Sequence, residues 1–503
     1  MYIRSLAVGT ALTTVLSSVP ALADLTAQDV WNDWKTVSAT QGQTLAAASE
    51  RMAGDTLVLT DVTVSMMQPD IELTGTIDEI RMLERGDGSV TVTMTPEMPF
   101  DMKIQSAEDE TIGIRMVIRQ GGTTMTASGD PETMRYDYLA PNVEIVLEDF
   151  SVDGESVTDT ELDFNFNVAL NGIAGNYTTS GEEPRNIDAD MRADNMTFDI
   201  DFSEPGTDMG VKMDAEFSDL EIQSTGTIAN LTNAQALGAM IKAGLRTQGG
   251  YTYGPATYDL QINSDDGAMR IAGGASGGNL DVVIDENGIE YGGLTNDVAM
   301  SISGDQIPFP QVNFAIEEYG GLIRMPIGAS DEAEDFGLQI RLVGLAIDDM
   351  IWSIFDAGGV LPRDPFSVIM EFEGRGNWLI DITDPEALEA MEESPEIPGE
   401  IESLNLTRLL VTAGGAELNG TGAFTFSDGP VPMPEGSATF NLIGANGLMD
   451  KLVAMGLMPE DQAMGARMML GIFARPGNGA DTLTSVIEVN PDGSVLANGQ
   501  RIK

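Results

Sequence analysis

Long stretches of the chain alternate apolar and polar residues with period two. From Leu162 to Leu170 the even positions hold Leu, Phe or Val, and the odd ones hold Asp, Asn or Ala. Met196–Phe202 and Val211–Phe217 follow the same rule, with Asp or Thr between the apolar residues of the first. This period is typical of strands with one apolar and one solvated face, which indicates an antiparallel rather than a buried parallel sheet.

Turn sequences separate these strands at short intervals. Arg85–Gly88 and Asp285–Gly288 end in Gly after Asp or Asn, which suits a tight reversal between two strands. The fold class predicted is therefore mainly β, with extended or curved antiparallel sheets and a few short covering helices. The sheets are expected to form a β-groove or a sandwich-like arrangement.

Helical spacing of apolar residues interrupts the strands at a few places. Thr26 or Asp29 could cap the first of these helices. The segments predicted as helical before residue 434 are Leu25–Ala47, Asn233–Arg246, Asp348–Phe355 and Asp384–Met391.

The C-terminal segment Pro434–Lys503 is predicted as a strand, two helices and a hairpin. Two apolar stripes at helical spacing predict that these helices cover one face of the sheet, since Met at such positions is usually core filler. A role as a plug or gate for a ligand is the alternative. The sheet-capping residues predicted are Leu448, Met449, Leu452, Val453, Met464, Met468 and Ile472.

A helix followed by a return to strand occurs at Asn233–Tyr253, Asp348–Phe372 and Asn446–Pro476. These recurrences divide the 503 residues into a segment 1–23 and regions 24–232, 233–345 and 346–503. A chain of this length could build two or three packed units, or one long continuous sheet.

The first residues resemble a secretory signal peptide. Arg4 precedes a short apolar run from Leu6 to Leu16, and Ala21-Leu-Ala23 fits a cleavage site between Ala23 and Asp24. The run is too short for a membrane anchor, and no later segment is long and apolar enough. We therefore expect an exported protein without an integral membrane segment, and the absence of cysteine favours the periplasm.

The composition excludes several classes of partner and of chemistry. With 25 basic and 80 acidic residues the formal charge is −55, which argues against nucleic acid and against electrostatic docking on anionic lipid. No Cys and no His are present, which removes thiol catalysis, the Ser-His-Asp triad and the common zinc sites. An enzyme would depend on carboxylates, Lys, Tyr or an all-oxygen metal site, and no cofactor is expected.

Paired carboxylates are the only candidates for hydrolytic chemistry. Acid–base hydrolysis needs two carboxyl groups across a cleft, whereas neighbours at i and i+2 on a strand usually both face water. No turn matches a Ca²⁺ loop and no phosphate loop is present, so no catalytic, cofactor-binding or metal residue is predicted. The pairs considered are Asp188/Asp190, Asp199/Asp201, Asp265/Asp266 and Asp348/Asp349.

Three blocks of sequence carry a family resemblance. They are Val30-Trp31 with Trp34-Lys35, Asp349–Trp352 with Leu361–Pro365, and the tail Gly447–Gln500. Together with the signal-like start they resemble the domain-of-unknown-function family 2125, which comprises exported alphaproteobacterial proteins. That family has no established activity, so the resemblance implies no catalytic residues. The tail is also similar to the end of AsmA-like envelope proteins, which implies a long β-groove for lipid.

Three functions are compatible with these observations. The first is a non-enzymatic envelope protein that binds lipid or another apolar ligand on the apolar face of a curved sheet. The second is a structural or interaction protein with an acidic, ion-stabilised surface. The third is a hydrolase that uses carboxylates or a metal bound by oxygen ligands.

Overall fold

The computed structural model describes residues 25–503 except 69, 106–109, 158–162, 182–183, 205, 208, 231–236, 385–386, 388–397 and 428–431. All strands within it belong to one antiparallel sheet, and five short helices accompany the sheet. The predicted fold class is thereby confirmed.

The helices are α1 (Ala27–Thr40), α2 (Leu237–Lys242), α3 (Asp349–Phe355), α4 (Ala445–Ala454) and α5 (Glu460–Phe473). The strands are β1 (Gln43–Ala53), β2 (Thr56–Gln68), β3 (Ile71–Glu84), β4 (Val90–Met94), β5 (Glu97–Gln105), β6 (Thr111–Gly121), β7 (Thr124–Asp130), β8 (Thr133–Val152), β9 (Glu155–Ser156), β10 (Asp163–Ser180), β11 (Arg185–Ser203), β12 (Gly210–Ile228), β13 (Arg246–Tyr253), β14 (Ala256–Ser264), β15 (Gly267–Ala275), β16 (Gly277–Asp285), β17 (Gly288–Gly304), β18 (Val312–Met325), β19 (Glu334–Ile347), β20 (Phe366–Trp378), β21 (Gly399–Ala413), β22 (Ala416–Phe426), β23 (Pro434–Ile443), β24 (Arg475–Pro476), β25 (Thr482–Val489), β26 (Val495–Ala497) and β27 (Gln500–Arg501).

The sheet is largely an up-and-down meander, in which most strands pair with the next strand along the chain. The short strands β4 and β5 lie end to end along β3, and β13 and β14 lie end to end along β12. Pairing continues through both predicted region boundaries, from β12 to β13 and from β19 to β20. Strand pairing therefore connects all three predicted regions, and their division into separate folding units stays a prediction.

One row of directly opposed residues crosses the whole sheet and defines its inner face. Each member lies opposite the next in the register, so all of their side chains share one side. The row runs Met52, Leu57, Met82, Val92, Met125, Tyr138, Gly175, Met191, Ile222, Tyr251, Leu280, Gly293, Gly321, Ile340, Met370, Leu409, Gly420, Phe440 and Ser485.

A crease runs across the strands near their middles. It is marked by residues with positive φ, namely Asp61, Gly122, Gly172, Asp219, Asp297 and Gly344. At Gly172 and Gly344 a Cβ would collide with the side chains of Asp194 and Glu317, on the neighbouring strands. Left-handed residues within a strand bend it. They also shift the alternation, so that inner side chains of β10 are even-numbered up to Leu170 and odd-numbered from Ile173.

Helix α1 covers the inner face of the first strands. Thr26 is its N-cap, and Asp29 completes a capping box, so both predicted capping residues take part. The helix ends at Thr40, and the predicted extension to Ala47 is wrong. Gly42 has a φ of 74°, and the chain then continues as β1, whose first six residues alternate in burial.

The remaining helices lie at the ends of the strands. We call the end of the sheet at which β12 ends and β13 begins the upper end, and the opposite one the lower end. Helix α2 lies at the upper end and is shorter than the predicted Asn233–Arg246, of which residues 233–236 lie outside the described part. Asp348 is the N-cap of α3, at the start of the predicted helix Asp348–Phe355. Helices α3, α4 and α5 are at the lower end, where β19 leads to β20 and β23 leads to β25. Most of the predicted helix Asp384–Met391 lies outside the described residues.

The two C-terminal helices differ in how they are packed. On α4 Met449 is buried, and Leu448, Leu452 and Val453 are half-buried. On α5 the side chains of Met464, Met468 and Ile472 are exposed, at 68%, 66% and 44%. Of the residues predicted to cap the sheet, those on α4 are thus half-buried or buried, and those on α5 are exposed, because α5 packs through Ala463, on another of its faces.

Candidate functional site

A second cluster of buried side chains lies on the inner face at the crease, apart from the cluster under α1. Ala140, Ile173, Ala193 and Leu220 are buried together. Each is next in the chain to a residue on the line of the crease, and these neighbours are Pro141, Gly172, Asp194 and Asp219. Partly buried side chains from both sides of the crease pack against this cluster, among them Tyr138, Val143, Leu170, Met191, Met196 and Phe217. This pattern is that of a trough whose floor follows the crease, and we call it the groove.

Away from the crease, the upper wall of the groove exposes large apolar side chains. Its most exposed members are Tyr319 at 59% and Tyr291 at 50%. Tyr291 lies directly opposite Ile323, which in turn lies opposite Leu338, so the exposed residues are contiguous. Contiguous exposed apolar surface is typical of interaction surfaces and ligand-binding grooves. The members of this exposed wall are Ile222, Tyr251, Tyr291, Tyr319, Ile323, Leu338 and Ile340.

Aromatic rings span the floor of the groove. Phe217, below the crease, meets Tyr253, above it, edge to face with ring centroids 5.5 Å apart. The Tyr253 hydroxyl lies 2.9 Å from Oγ1 of Thr295, two strands further along. These contacts connect the two sides of the crease through aromatic rings along the floor of the groove.

The lower wall contains an apolar cavity of about 340 Å³ at the lower end of the strands. Phe164 and Phe202 pack edge to face beside it, with centroids 5.9 Å apart. A cavity lined only by apolar side chains suits a hydrocarbon chain. The lining residues are Ile114, Met116, Leu147, Phe150, Val157, Phe164, Phe166 and Phe202.

A buried polar cluster closes the groove at its N-terminal end. Asp33 of α1 accepts a hydrogen bond of 2.8 Å from the Tyr136 hydroxyl and forms an ion pair with Arg185. Arg185 also donates to Oγ1 of Thr179 at 3.0 Å. Burial, and then the Asp33 charge, raise the pKa of Tyr136 and of the stacked Tyr177. Both phenols therefore stay neutral, and Tyr136 donates to the Asp33 carboxylate.

The paired carboxylates do not come together into a site. Asp199 accepts a hydrogen bond of 3.0 Å from Asn165 on the outer face, and Asp201 lies opposite Lys212. Asp348 caps α3, and the Met350 N–H, with Asn313, holds its pKa below the ordinary value. Asp265 and Asp266 lie in the turn after β14, and Asp188 and Asp190 belong to β11. In the part of the chain that the structure describes, no three acidic side chains are grouped to hold a metal ion.

The block Asp349–Pro365, one of the motifs singled out in the sequence, fixes α3 to the loop that follows it. Buried Asp356 accepts hydrogen bonds of 2.8 Å and 2.9 Å from the Val360 and Leu361 N–H groups, and one of 2.8 Å from Arg363. Burial disfavours its charge, but these donors outweigh burial and lower the pKa of Asp356. The Arg363 guanidinium also lies 4.5 Å from the Trp352 ring centroid. The motif therefore has a structural role.

Two features of the site were missed in the sequence. The sequence does contain a signal for the crease, because the apolar positions of β2 step by three residues from Leu59 to Val62 instead of by two. The polar cluster has none, because Asp33 is 103 residues from Tyr136 and 152 from Arg185. Only the pairing of the strands brings these side chains together.

Comparison with known proteins gives one match. A family model described as "Uncharacterized protein conserved in bacteria (DUF2125)" matches residues 377–498. This range includes α4, α5 and the strands around them, and it supports the family resemblance of the tail. No curated protein and no solved structure matches the chain. Among the described residues, no helix is long and apolar enough to cross a membrane.

Proposed function

We propose that this chain is a non-enzymatic binding protein that holds lipid or another apolar ligand in the groove. The observation that carries the proposal is the exposed wall, where several large apolar side chains on consecutive strands face the solvent. Leaving such side chains in water forgoes roughly 25 cal/mol for each Å² that burial would remove from water. A ligand that covers them recovers this free energy.

The cavity of the lower wall supports the same proposal. It is about 340 Å³ in volume, and its lining contains no polar side chain to orient a polar substrate. The ligand class supported is therefore one with a hydrocarbon chain. The apolar chain would lie along the floor, and the polar part of the ligand would stay at the open side.

The signal-like residues 1–23 support export, and the absence of cysteine supports the periplasm as the compartment. In that setting, a groove for apolar ligands would serve the maintenance of the cell envelope. No enzymatic activity is part of this proposal.

The test compares the full chain with two variants on β19. Ile340→Asp places a charge on the exposed wall, and Gln339→Asp places the same charge one residue away on the outer face. Native mass spectrometry of protein purified from its own host should find a bound lipid. Binding of a fluorescent fatty acid should fall at least about tenfold in Ile340→Asp, because a buried charge opposes an apolar ligand. Gln339→Asp should stay within twofold of the unchanged protein.

Two results would contradict the proposal. One is a purified protein that carries no lipid and binds no apolar probe. The other is equal binding by Ile340→Asp and the unchanged protein at equal stability.

A structural or interaction role is the second candidate. It is supported by a cross-strand charge network on the outer face, in which Arg341 pairs with Glu318 and Glu371, and Arg408 also approaches Glu371. If this network is the function, the melting temperature should change strongly with ionic strength and with Ca²⁺. A melting temperature that is indifferent to both would remove this candidate.

A further inference from the structure

Helix α5 presents an apolar face that no described residue covers. Met464, Met468, Met469 and Ile472 are between 44% and 68% exposed. Their spacing of i, i+4, i+5 and i+8 places them on one side of the helix. Ala463, almost fully buried, is on the side that packs against the protein.

A second apolar face belongs to α3, at the same lower end of the sheet. Ile354 is 66% exposed, and Phe355 and Met350 are also exposed. The loop that follows α3 adjoins α4, because Leu361 and Leu448 both approach Gly414 in the turn between β21 and β22. The two faces therefore lie on one contiguous end of the molecule. The apolar cavity of the lower wall is also at this end, where β10 begins and β11 ends.

The charge around α5 differs from that of the chain as a whole. The segment Gln462–Ala480 contains no acidic residue, although the chain has 80. Its two basic residues are engaged within the protein: Arg467 pairs with Asp450, and Arg475 donates to the Asn498 carbonyl. The exposed Met face therefore carries no negative charge of its own, although Glu460 and Asp461 lie in the first turn of the same helix.

We propose that this lower end docks on the surface of a lipid bilayer through the exposed side chains of α5 and α3. Trp352 and Phe355 are in contact, and Arg363 lies over Trp352, an arrangement of aromatic and basic groups that suits the headgroup level. Helix α5 would lie in the interface plane with its Met face among the acyl chains. The net charge of −55 makes a zwitterionic surface the preferred one.

This docking rests on the proposed function, because it turns the lower ends of the strands, where the cavity of the lower wall lies, toward the membrane. A hydrocarbon chain could then pass between bilayer and groove without full exposure to water. A second copy of the chain is the other occupant that an apolar helix face could take, and the experiment separates the two.

The experiment is flotation of the full chain with phosphatidylcholine vesicles. Met464→Asp/Met468→Asp removes two apolar groups and adds two charges on the docking face. Gln462→Asp/Asn478→Asp adds the same two charges at exposed positions within the same acid-free segment, and it is the matched control. We expect the unchanged protein and the control to float, and vesicle binding by the Met variant to fall at least about tenfold. Replacing part of the lipid by phosphatidylglycerol should weaken binding of the unchanged protein.

The proposal is overturned if the unchanged protein stays in the soluble fraction, or if the Met variant floats as well as the control. It is also overturned if the unchanged protein is a dimer that the Met variant converts to a monomer without change in vesicle binding. Binding of a fatty acid supplied in detergent reports the groove separately. A chain that binds this fatty acid but not vesicles keeps the proposed function and loses the docking surface.

Discussion

The N-terminal strands and the middle of the sheet share one design but differ in what covers their inner face. Between α1 and the first strands the apolar side chains are buried, including Trp31 of the helix and Leu59, Val62 and Met82 of the strands, all at 0% exposure. From β12 to β19 residues of the same inner face, such as Tyr291 and Tyr319, remain half exposed or more. A single helix makes the difference. The first part of the sheet is therefore a conventional hydrophobic core, and the second retains a surface that a ligand can cover.

The largest expected effect separates these two regions by stability. Trp31→Ala should lower the free energy of unfolding by about 3–5 kcal/mol, because it leaves a cavity under α1 and removes the 2.7 Å hydrogen bond to Glu50. Tyr319→Ala should lower it by less than about 1 kcal/mol, since little of this side chain is buried. Urea denaturation of both variants measures the difference. Similar losses at the two positions would mean that the middle of the sheet is covered in solution.

The next effect concerns the polar cluster at the boundary between the two regions. Asp33→Leu should cost about 3 kcal/mol of unfolding free energy, because it leaves Arg185 in the interior without its partner. In the double variant Asp33→Leu/Arg185→Met most of that loss should be regained, since apolar groups of similar size can replace a buried pair. Chemical denaturation of the two single variants and the double variant completes the cycle. Additive losses would show that the ion pair does not attach α1 to the sheet.

The smallest expected effect on stability concerns the N-terminus of α4, beyond the part of the sheet with the exposed wall. Asp481 accepts hydrogen bonds from the Gly447 N–H at 2.8 Å and from Asn446, and these outweigh burial and lower its pKa. Its contribution of about 1 kcal/mol is therefore present above the ordinary Asp pKa and is lost as the pH falls through the lowered folded-state value.

This cap is measured by following the urea midpoint between pH 6 and pH 3. The difference between the unchanged protein and Asp481→Ala should be full at pH 6 and should shrink below about pH 4. Asp461→Ala, at an exposed acid in the first turn of α5, is the comparison. A difference for Asp481→Ala that is constant over this range would show that its charge does not cap α4.

Local sequence patterns predicted most of the elements because strand alternation and capping act over a few residues. The alternation in β10 and β11 and the capping of α1 by Thr26 and Asp29 are examples that the structure bears out. Helix α1 was predicted too long because Ala46 and Ala47 suit a helix as well as a strand. Their pairing with Thr63 and Val62 of β2 decided the matter.

The candidate site was predicted only in outline. The apolar sheet face was expected, but the amphipathic α5 was expected to turn its Met stripe toward that face, and the structure turns it outward. A helical stripe shows that one side of a helix is apolar, and does not show which surface it meets. That choice depends on where the preceding strand ends and how the following one pairs.

Composition and local pattern were sufficient to predict the antiparallel class, the solvated outer face and the capping of α1, and to exclude chemistries that need His or Cys. These properties follow from composition and from contacts between residues close along the chain. The three-dimensional fold was needed to show that the strands form one continuous creased sheet, that α1 covers one part of it, and that Asp33 meets Arg185. These properties depend on the register of the strands and on which strands a helix covers. Both are set by contacts between residues far apart in the chain.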